Sequence, residues 1–127
     1  MGVIAITPQL RTRNLESSIR FYTEKVGLEL AFRHADFYAG IRAPSGSFHL
    51  KRVDAVDPSI AFVEQGGHLH LYLGVDDVDL FARRLATAGV ILVQPPCDTA
   101  WGTREVIFRD DQGHTIYAGM PARASAD

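Results

Sequence analysis

Cys97 is the only cysteine in the chain, so no intramolecular disulfide framework is available and a reducing compartment suits the protein. Neither sign of charge is in excess. Thirteen Lys and Arg against 15 Asp and Glu leave a net charge of -2 and a pI near 6.2, with no basic stripe. This excludes the electrostatic footprint of a nucleic-acid-binding protein or of one held on an anionic membrane. No apolar run approaches the ~18 residues of a membrane span, and the opening Met1-Gly2-Val3-Ile4-Ala5-Ile6 carries no basic n-region. The expectation is a cytoplasmic protein. In 127 residues, 46% hydrophobic and 22% charged, there is enough apolar material for one domain with its own core.

What the chain does have is a repeat. A strand at 3–12 places Ile4, Ile6, Pro8 and Leu10 on one face and Ala5, Thr7, Gln9 and Arg11 on the other. Asn14 then caps a helix whose apolar positions Leu15, Ile19, Tyr22 and Val26 run to a stop at Gly27. Extended runs follow at 29–34, 36–42 and 47–53, with Pro44-Ser45-Gly46 as the clearest turn. After a looser connection at 55–67, in which 59–63 reads as a further short strand, the succession returns. A strand at 68–75 has Leu69, Leu71, Leu73 and Val75 opposite His70, Tyr72 and Gly74. Asp77 caps a helix with Val78, Phe81, Ala82 and Leu85 on its buried stripe and Gly89 at its end. Strands are expected at 90–94, 105–110 and 114–118. The fold class is therefore α+β, two βαβββ modules at about 3–54 and 68–120, with an Ala- and Ser-rich tail at 121–127 expected to be poorly ordered.

The residues Asn14-Leu15, Ser18, Phe21-Tyr22 and Gly27-Leu28, then Val75 with Asp77-Val78-Asp79, and Phe108-Arg109-Asp110-Asp111-Gln112-Gly113-His114 resemble the vicinal oxygen chelate superfamily. It includes glyoxalase I, extradiol dioxygenases, and the fosfomycin- and bleomycin-resistance proteins. The resemblance covers about 4–120. It implies a mixed sheet curled into a cup around a ligand, helices on the convex side, and completion by a second copy, that is, a homodimer. Metal-dependent members present His, Gln or Glu from cup-facing positions of the first and last strand of each module. The matching positions here are Thr7, about Leu50 (with His49 one residue away and expected on the opposite face), His70 and Tyr117. Only His70 is a sound ligand, so no metal and no cofactor are expected. His68, two residues from His70, would share its face and form at most a weak metal-binding pair.

Trp101-Gly102, Arg104-Glu105 and Arg109-Asp110 are similar to a segment of the bleomycin-resistance proteins, which bind a drug without changing it. Phe37 after Asp36 matches another of their aromatics, which with the later tryptophan clamps a planar part of the drug between subunits. The plainer reading makes Trp101 a loop anchor, Phe37 a core residue, and Arg104 and Glu105 local ion-pair partners. Alternation turns Val106 and Phe108 toward the helix and Glu105, Ile107 and Arg109 toward the cup. With Gln9, Arg11, His70, Tyr72 and Tyr117 they would line a mixed polar and aromatic cavity. Cys97 has no neighbour in sequence that lowers a thiol pKa, and Asp76, Asp77 and Asp79 suit a helix N-terminus.

The leading expectation is a small-molecule-binding protein that sequesters an aromatic or amphipathic compound, an antibiotic-resistance role being one form of it. The alternative is a metal-dependent lyase, isomerase or dioxygenase using His70. A third reading makes the cup a partner-binding surface. The mixed charges of 51–64 argue against bleomycin itself.

Overall fold

Asn14 and Asp77 do at the start of their helices what short polar side chains do best there. In the computed structural model, which describes residues 2–54, 56–65 and 69–122, the Asn14 side chain accepts from the Ser17 amide and that of Asp77 from the Leu80 amide. The two helices belong to two compact units. The first runs to Gln65 and takes in Asp111–Gly113; the second holds the rest of the described chain.

In the first unit, β1 (Gln9–Thr12), α1 (Leu15–Arg20), β2 (Glu29–His34), β3 (Tyr38–Arg42) and β4 (Ser47–Arg52) make a four-stranded sheet of order β1-β4-β3-β2, with α1 packed on β3 and β4. β1 is parallel to β4 and the other pairs are antiparallel. After α1 the chain widens into a π-helical turn, Phe21–Lys25, before Gly27 stops it at φ 91. Leu15, Ile19, Tyr22 and Val26 are all buried, as their spacing predicts. They meet Leu10, Ala39, Ile41, Phe48 and Leu50 on one face of the sheet, where Tyr22 stands edge-on to Phe48. Each of the larger side chains contributes about 1.5–3 kcal/mol by leaving water.

Three expectations are corrected in this unit. The first strand begins at Gln9, not at residue 3, and Val3, Ile4 and Ile6 are almost fully exposed; their alternation finds no ladder partner among the described residues. Residues 59–63 are helical, not extended. Asp57 caps α2 (Pro58–Glu64) by accepting from the Ser59 amide, with Pro58 in the first turn and Ile60 and Val63 buried one turn apart. Leu50 lies in the core, and it is His49, on the same strand face as Gln9 and Gly40, that faces away from α1.

The second unit repeats the plan. β5 (Leu69–Gly74), α3 (Val78–Thr87), β6 (Leu92–Asp98), β7 (Thr103–Arg109) and β8 (Thr115–Pro121) form a sheet of order β5-β8-β7-β6, with α3 packed on β6, β7 and β8. Val78, Ala82 and Leu85 are buried, as are Val106, Phe108, Ile116 and Ala118. β6 reaches further than expected, through Pro95 and Pro96, because it is an edge strand with register shifts between Leu92 and Gln94 and between Gln94 and Cys97; prolines are tolerated at such places. β8 likewise extends past Ala118 to Pro121. His68 and the tail from residue 123 lie outside the described residues. No helix among the described residues is long and apolar enough to cross a membrane.

Candidate functional site

Each sheet spends one face on its helix, so its chemistry is presented on the other. In the second unit the open face carries His70 and Tyr72 from β5, Thr103, Glu105, Ile107 and Arg109 from β7, and Thr115, Tyr117 and Gly119 from β8, as strand alternation and pairing require. The expected residues His70, Tyr72, Glu105, Arg109 and Tyr117 are thus brought onto one surface.

At its centre is Glu105, only 4% exposed. Its Oε2 accepts hydrogen bonds from the Tyr72 hydroxyl at 2.8 Å and the Thr103 hydroxyl at 2.9 Å. Tyr72 reaches it by lying across Gly119: a Cβ there would stand 2.0 Å from the Tyr72 hydroxyl oxygen and 2.8 Å from its Cζ. Burial, then the hydrogen bond to Glu105 and its charge, raise the Tyr72 pKa and keep the phenol a donor. The Tyr117 ring lies 6.5 Å from that of Tyr72, tilted by 31°. Arg104, the sequence neighbour of Glu105, is turned away. Its guanidinium holds Asp79 through two bonds of 2.9 Å and Asp98 at 3.1 Å, which lowers the Asp79 pKa and raises that of Arg104. A polar cleft of 380 Å³ beside the start of α3 is lined by this ion-pair group, Asp77 and Arg83 among others.

His70 sits at the other end of the open face. Its Nδ1 accepts the Thr115 amide at 3.2 Å; a backbone N–H can only donate, so the ring proton is on Nε2. The His70 ring meets that of His114 edge-on at 4.8 Å. His114 is buried with Asp110, Nδ1 to Oδ2 at 2.7 Å, and its amide bonds the other carboxylate oxygen. The buried Thr115 hydroxyl has no hydrogen-bond partner among the described residues.

In the first unit, Gln9 donates to the Tyr38 hydroxyl at 3.0 Å, and the same hydroxyl shares a hydrogen bond of 3.0 Å with His49 Nδ1. Phe32 stacks on Tyr38, stands edge-on to His49 and lies over Gly40, where a Cβ would come within 2.2 Å of the ring. Arg11 shares the open face but is held by Asp57 at 2.8 Å. Phe37, in the β2–β3 turn, is half exposed with the Lys51 ammonium 5.9 Å from its ring centroid. It is not a core residue. Trp101, in the β6–β7 turn, is 73% exposed and anchors nothing.

Phe32, Tyr38, His49 and Thr103 join the candidates without having been expected. A signal was available for three of them: Phe48 and Leu50 alternate with His49, Ala39 and Ile41 with Tyr38, and Thr103 stands two residues before Glu105.

The four positions that the resemblance ties to metal do not make a ligand set. In the first unit Thr7 is a neutral hydroxyl, Leu50 is a buried hydrocarbon, and His49, which takes the open-face place beside it, has its Nδ1 bonded to the Tyr38 hydroxyl; in the second, the Nδ1 lone pair of His70 is engaged and Tyr117 is a phenol. No group of three or more His, Cys, Asp or Glu side chains is gathered for a cation among the described residues.

A search of the curated proteins finds no match. Among solved structures, the chain is similar to UcmS2 (23% identity, 94% of this chain and 98% of that one, TM-score 0.80). It is also similar to TnmS3, an antibiotic binding protein from Streptomyces sp. CB03234 (26% identity, 96% and 100% covered, TM-score 0.71). A third is the bleomycin-binding protein from bleomycin-producing Streptomyces verticillus, solved with copper(II)-bleomycin (19% identity, 98% and 99% covered, TM-score 0.70). The family model "Glyoxalase/Bleomycin resistance protein/Dioxygenase superfamily" matches residues 4–117, and with the two sheet-and-helix units this places the chain in that superfamily, to which it belongs.

Proposed function

We propose that this protein binds and sequesters an aromatic or amphipathic small molecule, an antibiotic being the leading class, without changing it chemically. The observation that carries the reading is the set of large rings left outside the cores. Trp101 is 73% exposed, Phe37 50%, Tyr72 49% and Phe32 45%. Rings held in water are costly to solubility and useful to a planar ligand, because they offer broad contact with little rotamer entropy to lose, and stacking adds about 0.5–1.5 kcal/mol beyond burial. Each unit also carries fixed polar groups on its own open face, Gln9 with Tyr38 and His49 in the first and Tyr72 with Glu105 in the second, which can orient a ligand.

Binding without metal is part of the proposal, supported by the poor donors Thr7 and Tyr117 and by the engaged Nδ1 atoms of His49 and His70. Two similar structures are of proteins described as an antibiotic binding protein (TnmS3) and a bleomycin-binding protein, which supports the ligand class. A homodimer in the cytoplasm is proposed with it, on the family resemblance and the composition.

The test is calorimetric titration of a panel of planar antibiotics into the wild-type protein and Trp101→Ala. The expected result is binding by at least one compound and a loss of about 2 kcal/mol in the variant, typical of an aromatic hot spot, with an unchanged melting temperature because the ring is exposed. Undiminished affinity would remove Trp101 from the site, and binding by no compound would remove the function.

A further inference from the structure

Glu105 is a carboxylate buried to 4% exposure on a face it shares with hydroxyls, rings, Ile107 and, four residues along β7, Arg109. Taking such a group out of water costs several kcal/mol unless it is paired. Both donors that reach it, Tyr72 and Thr103, bond the same oxygen, Oε2. Oε1 takes no hydrogen bond among the described residues, and no cation serves Glu105 there. Arg104 is committed to Asp79 and Asp98, while Arg109, on the same face, forms no ion pair with it. Gly119 keeps the floor beneath the carboxylate low enough for Tyr72 to lie flat and fix Oε2, which leaves Oε1 as the available acceptor.

We propose that Oε1 of Glu105 is the recognition point for a protonated nitrogen on the bound compound, so that the ligand class is a cationic aromatic molecule. This rests on the binding function proposed above and narrows it. A ligand ammonium or amidinium would complete a charge-assisted hydrogen bond in a partly dehydrated place, where such bonds are strongest. Anionic rings would meet an unscreened carboxylate and be rejected, which is how one group gives selectivity as well as affinity.

The test uses three planar probes of similar outline, measured by fluorescence or calorimetry: aminoacridine (a cation at neutral pH), acridone (neutral) and anthraquinone sulfonate (an anion). The expected result is aminoacridine binding about tenfold or more tighter than acridone, the size of one charge-assisted hydrogen bond, with the sulfonate weakest. Glu105→Gln should abolish the preference. Asp98→Asn, which makes the same change in net charge but sits with Arg104 outside the site, should keep it. The advantage of the cation should shrink as salt is raised. If Glu105→Gln does not fold, the wild-type order of the three probes decides. Equal or tighter binding of acridone or the sulfonate, or a cation preference that survives Glu105→Gln, overturns the proposal while leaving the binding function standing. Binding of none of the three overturns both.

Discussion

Replacing Gly119 by alanine adds one methyl group where the Tyr72 side chain now lies. The new Cβ would stand 2.0 Å from the Tyr72 hydroxyl oxygen, 2.8 Å from its Cζ and 3.2 Å from Glu105 Cγ. Ordinary contact needs about 3.4 Å or more, so the ring must move by more than an ångström, and its 2.8 Å bond to Glu105 is lost. A hydrogen bond to a charged acceptor is worth about 1.5–3 kcal/mol, and Tyr72 is half exposed, so water recovers part of it and the low end applies. Alanine also removes backbone freedom from the unfolded chain, returning about 0.4–1 kcal/mol, since Gly119 has no left-handed φ to strain. The net cost is about 0.5–1 kcal/mol, a fall in melting temperature of a few degrees. Thermal melts followed by circular dichroism read it, and the decisive measurement repeats the substitution in a Tyr72→Ala background. There the methyl has room and should be neutral or stabilising. A destabilisation of equal size in both backgrounds would show that the strand, not the Tyr72 ring, excludes the methyl, and the account of how Glu105 is held would be wrong.

The Asp57 carboxyl is held below its usual range by hydrogen bonds from the Ser59 hydroxyl and amide, with Arg11 adding to them. A depressed folded pKa contributes stability that is complete above the unfolded value near 3.9 and lost as pH falls through the folded one. Denaturant midpoints should therefore drop on acidification below about pH 4, and Asp57→Asn should flatten that drop; an unchanged acid limb in the variant would contradict the assignment. Asp77→Ala removes the acceptor for the Leu80 amide and should cost about 1 kcal/mol by denaturant unfolding, whereas Asp76→Ala, exposed and capping nothing among the described bonds, should cost little.

Where one local rule decides a structure, the sequence showed it. Asn14 and Asp77 cap, Gly27 and Gly89 stop with φ of 91 and 84, and the apolar spacings of α1 and α3 name the buried residues, except that Phe81 of α3 is only half-buried. Where two rules compete, it misled. Ile60 and Phe62 alternate like a strand, yet Asp57-Pro58 is also a cap followed by a first-turn proline, and that signal prevails because Ile60 and Val63 bury together one helical turn apart. Val3 to Ile6 alternate convincingly, but a strand also needs a neighbour. On β4 the alternation of Phe48 and Leu50 with Ser47, His49 and Lys51 was decisive, and the position counted from the resemblance missed it by one residue. The candidate site was legible as a face, since alternation placed Glu105, Tyr72 and His70, and the resemblance placed Tyr117. The bonds within it were not: that Arg104 would choose Asp79 and Asp98, or that Tyr72 would lie across Gly119, depends on contacts between strands and helix that no single segment contains.

The central claim is that the protein holds its ligand and leaves it intact. Trp101 is the only tryptophan and is one of the rings proposed to take the ligand, so the most direct measurement titrates a bound planar antibiotic against its fluorescence and then recovers the compound from the complex for mass spectrometry. Saturable quenching of Trp101, with the compound recovered at unchanged mass with and without added divalent metal, is the predicted result. Turnover of the compound on addition of metal, or binding that never perturbs Trp101, would contradict the account.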